Sequence, residues 1–211
     1  FLTWDAHINH VLSKLGSSNF AIARTKNFLP LKIRTTLYNS MFKSHLEFGI
    51  LAFGCAKSSK LKKIENLQKK CIRHVSNAGG RAHSDPLFNK LQILKFKDIF
   101  DYNVCSFLHQ YSNNLLPASF NNMFPLMRES DDRNSRDGFY NFIISTQNQT
   151  SLNNFPRVVF LPIWNGLGST YQSTVNHKHF KTDLLKILLK KYETFVACDN
   201  LLCDECRDSE F

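Results

Sequence analysis

The sequence predicts a mainly α-helical protein, and three observations lead to that prediction. Apolar residues recur at spacings of three and four over most of residues 1–112, which is the period of an amphipathic helix. Asn, Gly and Pro lie between these periodic stretches, where helices begin and end. Hydrophobic residues make up 43% of the 211 residues, enough to build a core. We therefore expect a helical bundle, then an irregular segment with short β-strands, then a C-terminal helix.

The first two predicted helices occupy residues 5–49. Asp5 can cap the first helix, and Gly16 is predicted to end it. Pro30 suits the first turn of the second helix, which Gly49 is predicted to end. The residues expected on the apolar face of the second helix are Leu37, Tyr38, Met41, His45 and Phe48.

Three further helices are predicted before residue 112. The first begins at Ser58 or Ser59 and runs to about Ala78, before Gly79 and Gly80. Two others are expected over residues 85–92 and 97–111. The apolar stripe of the helix after Ser58 consists of Leu61, Ile64, Leu67, Cys71, Ile72 and Val75.

Residues 113–175 have a different character. Asn and Pro punctuate short apolar pieces, and residues 128–138 contain no large apolar side chain, which is typical of a loop. β-Branched and aromatic runs at 139–144 and 157–163 predict two short strands. A last helix is expected over 177–195, followed by an acidic tail. The predicted segments are 1–112 (helical, basic), 113–175 (loop-rich) and 176–211 (helix and Cys-containing tail).

Positive charge is concentrated in the first half of the chain. The net charge is +10, and residues 1–110 contain 17 basic against 6 acidic side chains, whereas residues 111–211 contain 10 against 11. Such an asymmetry favours binding to a polyanion. The alternative is a generically basic soluble domain.

The helix over residues 60–75 carries the strongest functional signal. At about 100° per residue, five of its basic side chains fall within an arc of about 120°, opposite the apolar stripe. Side chains of this length reach successive phosphates of a nucleic acid, which supplies affinity without sequence reading. An ordinary solvated charged face is the alternative. The candidate nucleic-acid-binding residues are Lys62, Lys63, Lys69, Lys70 and Arg73.

Other chemistry is weakly indicated or absent. No phosphate-binding loop, nucleophile elbow or zinc-protease motif occurs, so no catalytic residue is predicted. Asp131 and Asp132 lie in the most polar stretch and are interpreted as solvated loop residues. Cys198, Cys203 and Cys206 resemble part of a zinc site that lacks a fourth ligand, so metal binding there is the minority interpretation.

Compartment and completeness follow from composition and from the first residues. No apolar run is long enough to span a membrane. No signal peptide is visible, and Cys55, Cys71 and Cys105 fit buried hydrophobic positions, so a nuclear or cytoplasmic location is expected. The chain begins with Phe1 rather than Met, which suggests a piece of a longer protein.

Several short motifs, in order and over nearly the whole chain, resemble one known family. They are LTWDAHI at 2–8, LP at 29–30, LYNS at 37–40, HLEFGI at 45–50, KIENLQKKCIR at 63–73, AHSDPLF at 82–88, LQIL at 91–94, NSR at 134–136, IWN at 163–165 and FK at 180–181. Together they resemble the region after the catalytic palm in reverse transcriptases of non-long-terminal-repeat (jockey-like) retrotransposons. The chain departs from the family at Leu167-Gly168, where Leu-Pro is usual.

The resemblance implies the thumb and post-thumb part of an RNA-directed DNA polymerase. The family's two magnesium ions are held by an Asp-Asp loop in the upstream palm, so no cofactor is expected in this chain and it should be inactive alone. The implied partners are RNA or DNA and the palm of the intact polymerase, and no membrane. The alternative is a non-catalytic interaction or structural remnant of a retroelement.

Overall fold

The computed structural model describes residues 4–120, 123–124, 140–143 and 156–192. Helices dominate these residues, which confirms the predicted mainly α class. They are α1 (Asp5–Thr25), α2 (Leu31–Leu37), a π-helical segment (Tyr38–Lys43), α3 (Ser44–Glu47), α4 (Ile50–Phe53), α5 (Ser58–Ser76), α6 (Asp85–Leu91), α7 (Phe96–Ser112), a 3₁₀ turn (Ala118–Phe120), α8 (Pro156–Asn165), α9 (Ser169–Gln172) and α10 (His177–Lys190).

Packing divides the chain into two compact units. The first comprises the described residues of Phe1–Ile99 and Leu188–Phe211, and the second those of Phe100–Ile187. The three predicted segments rest on composition, whereas these two units rest on packing. The three-segment division therefore stays a prediction.

The predicted short strands are wrong where the structure describes them. Residues 157–163 lie inside α8, and no strand occurs between residues 140 and 143, where Phe142 makes only an isolated β-bridge. The rest of the predicted strand at 139–144 lies outside the described residues. Phe160, Leu161 and Trp164 are buried at helical spacing in α8. A short apolar run does not by itself distinguish a strand from a buried helix, and here the helical period decides.

Gly16 does not end the first helix. Helix α1 continues through Gly16 to Thr25, because the buried stripe that begins at Ile8 continues beyond it to Ser18 and Ile22. This stripe packs along α5. Glycine costs a helix interior about 1 kcal/mol, a penalty that packing of this length readily offsets. Nor does Asp5 cap α1, since no side-chain capping bond forms and Asp5 instead pairs with Lys60 of α5.

The second predicted helix uses a different face from the expected one. Its buried residues recur every four positions, at Arg34, Tyr38, Phe42 and Leu46, while Met41 is exposed. In an α-helix each four-residue step turns the side-chain direction by about 40°. Four residues at this spacing would therefore not all lie on the same face of an α-helix. The wider turns of the π-helical segment remove this drift, because their hydrogen bonds span five residues. The rings of Tyr38 and Phe42 consequently stack, with centroids 5.3 Å apart.

A buried glutamine links the helices of the first unit. Gln68 of α5 is 1% exposed, and its Nε2 donates to the Tyr38 hydroxyl at 2.9 Å and to the Leu94 carbonyl at 3.0 Å. Its Oε1 accepts the backbone N–H of Phe96 at 2.8 Å. The amide thus uses both its donors and its acceptor. From one position on α5 it hydrogen-bonds to the π-helical segment and to the start of α7.

Replacing Gln68 by methionine should destabilise the first unit strongly. The Gln68→Met side chain fills the same space but leaves the Tyr38 oxygen, the Leu94 carbonyl and the Phe96 N–H without partners, at about 1–3 kcal/mol for each buried group. We expect a loss of at least about 3 kcal/mol in the free energy of unfolding, measured by urea denaturation. Tyr38→Phe is the graded control, since it removes one partner, and it should cost about 1 kcal/mol. Equal losses in the two variants would contradict this account.

Aromatic side chains form the core of the second unit. Trp164 is fully buried, and its Nε1 donates to the Tyr140 carbonyl at 2.9 Å. Its ring lies 6.0 Å from Phe142 and 5.9 Å from Phe180. Buried Gln172 donates to the Trp164 carbonyl at 2.9 Å. These bonds fix α8 and α9 around the tryptophan.

Two histidines form a hydrogen-bonded chain in the same unit. His109 Nε2 lies 2.6 Å from the Thr174 carbonyl, and the two Nδ1 atoms of His109 and His177 are 3.1 Å apart. His177 Nε2 lies 3.3 Å from the Ser106 hydroxyl and 3.0 Å from Nε2 of Gln110. We assign neutral tautomers in which Ser106 and Gln110 donate to His177, His177 donates to His109, and His109 donates to Thr174. Burial lowers the pKa of both histidines, which favours this neutral chain.

Acidification should therefore destabilise the second unit. An unfolded histidine takes up a proton near pH 6.5, whereas folded His109 stays neutral until lower pH, so stability falls as pH drops below about 6.5. The slope for one such histidine is at most about 1.4 kcal/mol per pH unit. Hydrogen exchange of the α10 amides between pH 5 and 7.5 measures it. His109→Gln should flatten the dependence, and His10→Gln, at an exposed position on α1, should not. A flat profile in the unmodified protein would refute the neutral chain.

Candidate nucleic-acid interface

Helix α5 is oriented by its buried side. Ile64, Gln68, Cys71, Ile72 and Val75 are all buried, and they lie on one face that packs against α1. At about 100° per residue, the centre of this face is about 180° from the centre of the predicted basic arc. The direction that α5 presents away from the core is therefore the direction of its cations.

The structure brings the five predicted residues together on that side of one helix. Lys62, Lys63 and Lys70 are exposed, and Lys69 and Arg73 are half-buried. From Lys62 to Arg73 the helix rises about 16 Å, a length over which one nucleic-acid strand presents several phosphates. The geometric expectation is met, whereas nucleic-acid binding by these residues stays a prediction.

Within the part of the chain that the structure describes, three of the five charges on this face are uncompensated. Among the described residues, no ion pair or hydrogen bond involves the side chain of Lys63, Lys69 or Lys70. Lys60, one turn earlier and outside the arc, forms an ion pair with Asp5. Glu65 is the one acidic residue of α5 and lies on its flank. The three lysines thus present a positive edge whose charges act on the solvent side.

Arg73 differs from the lysines because it has a structural role. Its Nε donates to the Ala82 carbonyl at 2.7 Å, which ties the last turn of α5 to the loop before α6. Helix α5 ends at Ser76. Asn77 at the cap position adopts a left-handed conformation with φ 52°, and the Ala78 N–H bonds back to the Arg73 carbonyl at 2.9 Å. The helix therefore stops two residues short of the predicted end at about Ala78. At its start Lys57 occupies the cap position, and no serine side chain caps it.

Arg34 and Lys26 extend the positive region at the C-terminal end of α5, and the sequence analysis identified neither of them. Arg34 is 8% exposed and donates to the carbonyls of Lys26 and His74, at 3.0 and 3.5 Å. It satisfies a carbonyl at the negative end of α5, where cations are favourable. Desolvation lowers the pKa of His74, and the positive charges of Lys26 and Arg73 lower it further. The four-residue spacing of Arg34 and Tyr38 was the available sequence signal, but nothing in the sequence placed Lys26 beside α5.

The structure describes some of the cysteines discussed above, whereas the other cysteines and the paired aspartates lie outside the described residues. Cys55, Cys71 and Cys105 are buried, as predicted, and burial raises the pKa of Cys55 to about 11. Cys198, Cys203 and Cys206, with Asp131 and Asp132, lie outside the described residues. Within the described residues, no group of three or more His, Cys, Asp or Glu side chains has an arrangement that would hold a metal ion. No helix of the part that the structure describes combines the length and apolarity needed to cross a membrane.

Comparisons with known proteins found no relative. No family model, curated protein or solved structure matches the chain.

Neutralising Lys26 should raise the pKa of His74. The Lys26 ammonium disfavours the imidazolium form of His74, so Lys26→Gln removes one of the positive charges that lower the pKa of His74. NMR titration of the His74 ring protons measures the change. Lys14→Gln, an exposed lysine on α1, is the control and should leave the titration midpoint unchanged. An unchanged midpoint in Lys26→Gln would show that the positive region does not reach the end of α5.

Proposed function

We propose that this chain is the thumb and post-thumb part of a retrotransposon reverse transcriptase and that it binds template–primer nucleic acid through backbone phosphates. The observation that carries the binding proposal is the edge of Lys63, Lys69 and Lys70, which lies opposite the buried face of α5 and forms no ion pair with any described residue. Lys62 and Arg73 complete the contact surface. The family motifs at 63–73 and 82–94 support the origin. The chain contributes no catalytic residue to polymerisation.

Phosphate contacts of this kind have a characteristic salt dependence. Each phosphate that a lysine neutralises releases condensed counterions, so the logarithm of the binding constant falls linearly with the logarithm of salt concentration. The contacts do not read bases, so duplexes of different sequence should bind with similar affinity. We expect weak binding for the isolated chain, because one helix face offers only a few contacts.

The triple variant Lys63→Gln, Lys69→Gln, Lys70→Gln tests the proposal. Binding of short DNA and RNA–DNA duplexes is measured by fluorescence anisotropy between about 50 and 200 mM salt, where such contacts dominate. The slope of the salt dependence should become shallower by about 2 to 3, since each lost contact accounts for about 0.9. Affinity at low salt should fall more than tenfold.

A matched variant controls for net charge. Lys14→Gln, Lys90→Gln, Lys97→Gln removes the same number of positive charges, from exposed positions on α1, α6 and α7 of the same unit. Its slope should stay within about 1 of the unmodified protein, since general electrostatic attraction alone is affected. Equal changes in both triple variants, or no binding by the unmodified chain, would overturn the assignment of this face.

A second function is favoured by a separate observation. Phe20, Phe28 and Phe48 are 64%, 85% and 73% exposed in the first unit, more than aromatic side chains of a monomeric domain usually are. A protein-interaction or structural role, the alternative for a retroelement remnant, would use such side chains. In that case Phe20→Ser with Phe28→Ser should abolish self-association seen by analytical ultracentrifugation and leave duplex binding unchanged. A monomeric unmodified chain would count against this alternative.

A further inference from the structure

The acidic segment that follows α10 is not used by the proposed function. Residues 193–211, which lie outside the described part of the structure, contain six acidic side chains against one basic, in a chain whose net charge is +10. Acidic stretches of this kind often serve as interaction segments. Their charge is opposite to that of the lysine edge of α5, which consists of Lys63, Lys69 and Lys70. Four of the six acids lie within residues 204–210: Asp204, Glu205, Asp208 and Glu210.

Tyr192, the last residue before this segment, is held beside α5. Its side chain is 5% exposed, and its hydroxyl donates to Asp98 and accepts the backbone N–H of Lys95 at 3.0 Å. The next N–H, that of Phe96, donates to Oε1 of Gln68 in the middle of α5 at 2.8 Å. Two hydrogen bonds through adjacent residues thus connect Tyr192 to α5, and the acidic segment begins at that point of the first unit.

The acidic side chains can reach the lysine edge within one molecule. From Tyr192, the path along these two hydrogen bonds and around α5, a helix about 10–12 Å wide, is about 35 Å long. Asp204 is twelve residues beyond Tyr192, and twelve residues span up to about 40 Å when extended. A tether of this length holds the acids near the edge at an effective concentration of about a millimolar, which favours intramolecular ion pairs.

The described acidic residues of the first unit do not neutralise the lysine edge. Glu65 lies on the flank of α5 and forms no ion pair with the three lysines. Apart from Glu65, the acids of this unit that no described ion pair engages are those of residues 193–211. The other four pair with lysines outside the edge: Asp5 with Lys60, Glu47 with Lys43, Asp85 with Lys95 and Asp98 with Lys191.

We propose that the acidic segment 193–211 binds the lysine edge of α5 in the same molecule and competes there with nucleic-acid duplexes. Its carboxylates take the positions that phosphates would occupy, so the segment lowers duplex affinity. The competition depends on salt, because ion pairs between exposed groups weaken as ionic strength rises. The contact between segment and edge forms without nucleic acid, whereas its effect on duplex affinity rests on the proposed function.

Zero-length carbodiimide crosslinking of the full chain tests the contact without nucleic acid. The reagent joins a carboxylate to an amine that touches it, and mass spectrometry identifies the joined residues in the monomeric fraction. Crosslinks from residues 204–210 should reach the three edge lysines at least about fivefold more often than the exposed Lys14 and Lys90. Absence of such crosslinks, an even spread over all these lysines, or their confinement to the dimeric fraction would overturn the proposal.

Two variants of equal charge test the effect on duplex binding. The segment variant carries Asp204→Asn, Glu205→Gln, Asp208→Asn and Glu210→Gln. The control variant carries Glu129→Gln, Asp131→Asn, Asp132→Asn and Asp137→Asn, so that both lose four negative charges. General electrostatic attraction is therefore the same in the two variants. The segment variant should bind a short duplex at least about fivefold more tightly than the control at about 50 mM salt, and the difference should shrink toward about 200 mM.

The two experiments distinguish this proposal from the proposed function. Equal duplex affinities of the two variants would overturn the competition. If the unmodified chain binds a duplex but the crosslinks are absent, the proposed function stands and this proposal fails. If the crosslinks form but neither the unmodified chain nor the segment variant binds a duplex, the proposed function fails together with the competition, and the intramolecular contact is established.

Discussion

The structure of the first unit depends on one buried amide. Gln68 lies in the middle of the apolar stripe of α5, where an unpaired polar group would cost more than it contributes, and it satisfies three groups that belong to different segments. This arrangement requires Tyr38 to reach α5, and the π-helical segment places it there. Because both the donors and the acceptor of Gln68 are used, one rotation of α5 about its axis is strongly preferred over its neighbours.

That rotation determines which side chains of α5 remain outside. Because Gln68, Ile64 and Ile72 are buried on one side of α5, the lysine edge lies on the opposite side of the helix. At the C-terminal end of α5, Arg34 donates to the His74 carbonyl, and Arg73 donates to the Ala82 carbonyl in the loop before α6. These two cations thus have structural partners, unlike the three lysines of the edge within the described residues. The basic edge is thus a consequence of packing. At the C-terminal end of α5, burial lowers the pKa of His74, and the positive charges of Lys26 and Arg73 lower it further.

Much of the helix pattern could be predicted from the sequence because strong periodicity survives tertiary packing. The buried face of α10, with Phe180, Leu184 and Leu188, follows from spacings of four residues, although the helix ends at Lys190 and Tyr192 lies in the turn that follows it. The same reasoning failed at Phe42, since a π-helical turn changes the period, and at 157–163, since a short β-branched run fits two periods. The basic edge followed from helical angles alone. Lys26 and the histidine chain did not, because they depend on contacts between residues distant in sequence.

Lysine footprinting in the presence of a nucleic-acid duplex tests the central claim most directly, because it reports on each side chain separately. The free protein and its complex are acetylated under identical conditions, and modification is quantified by mass spectrometry at every lysine. Our account predicts that Lys63, Lys69 and Lys70 are protected severalfold in the complex, while the exposed Lys14 and Lys90 react at their free rates. Protection centred on Lys14 or Lys90, or spread evenly over all lysines, would contradict it.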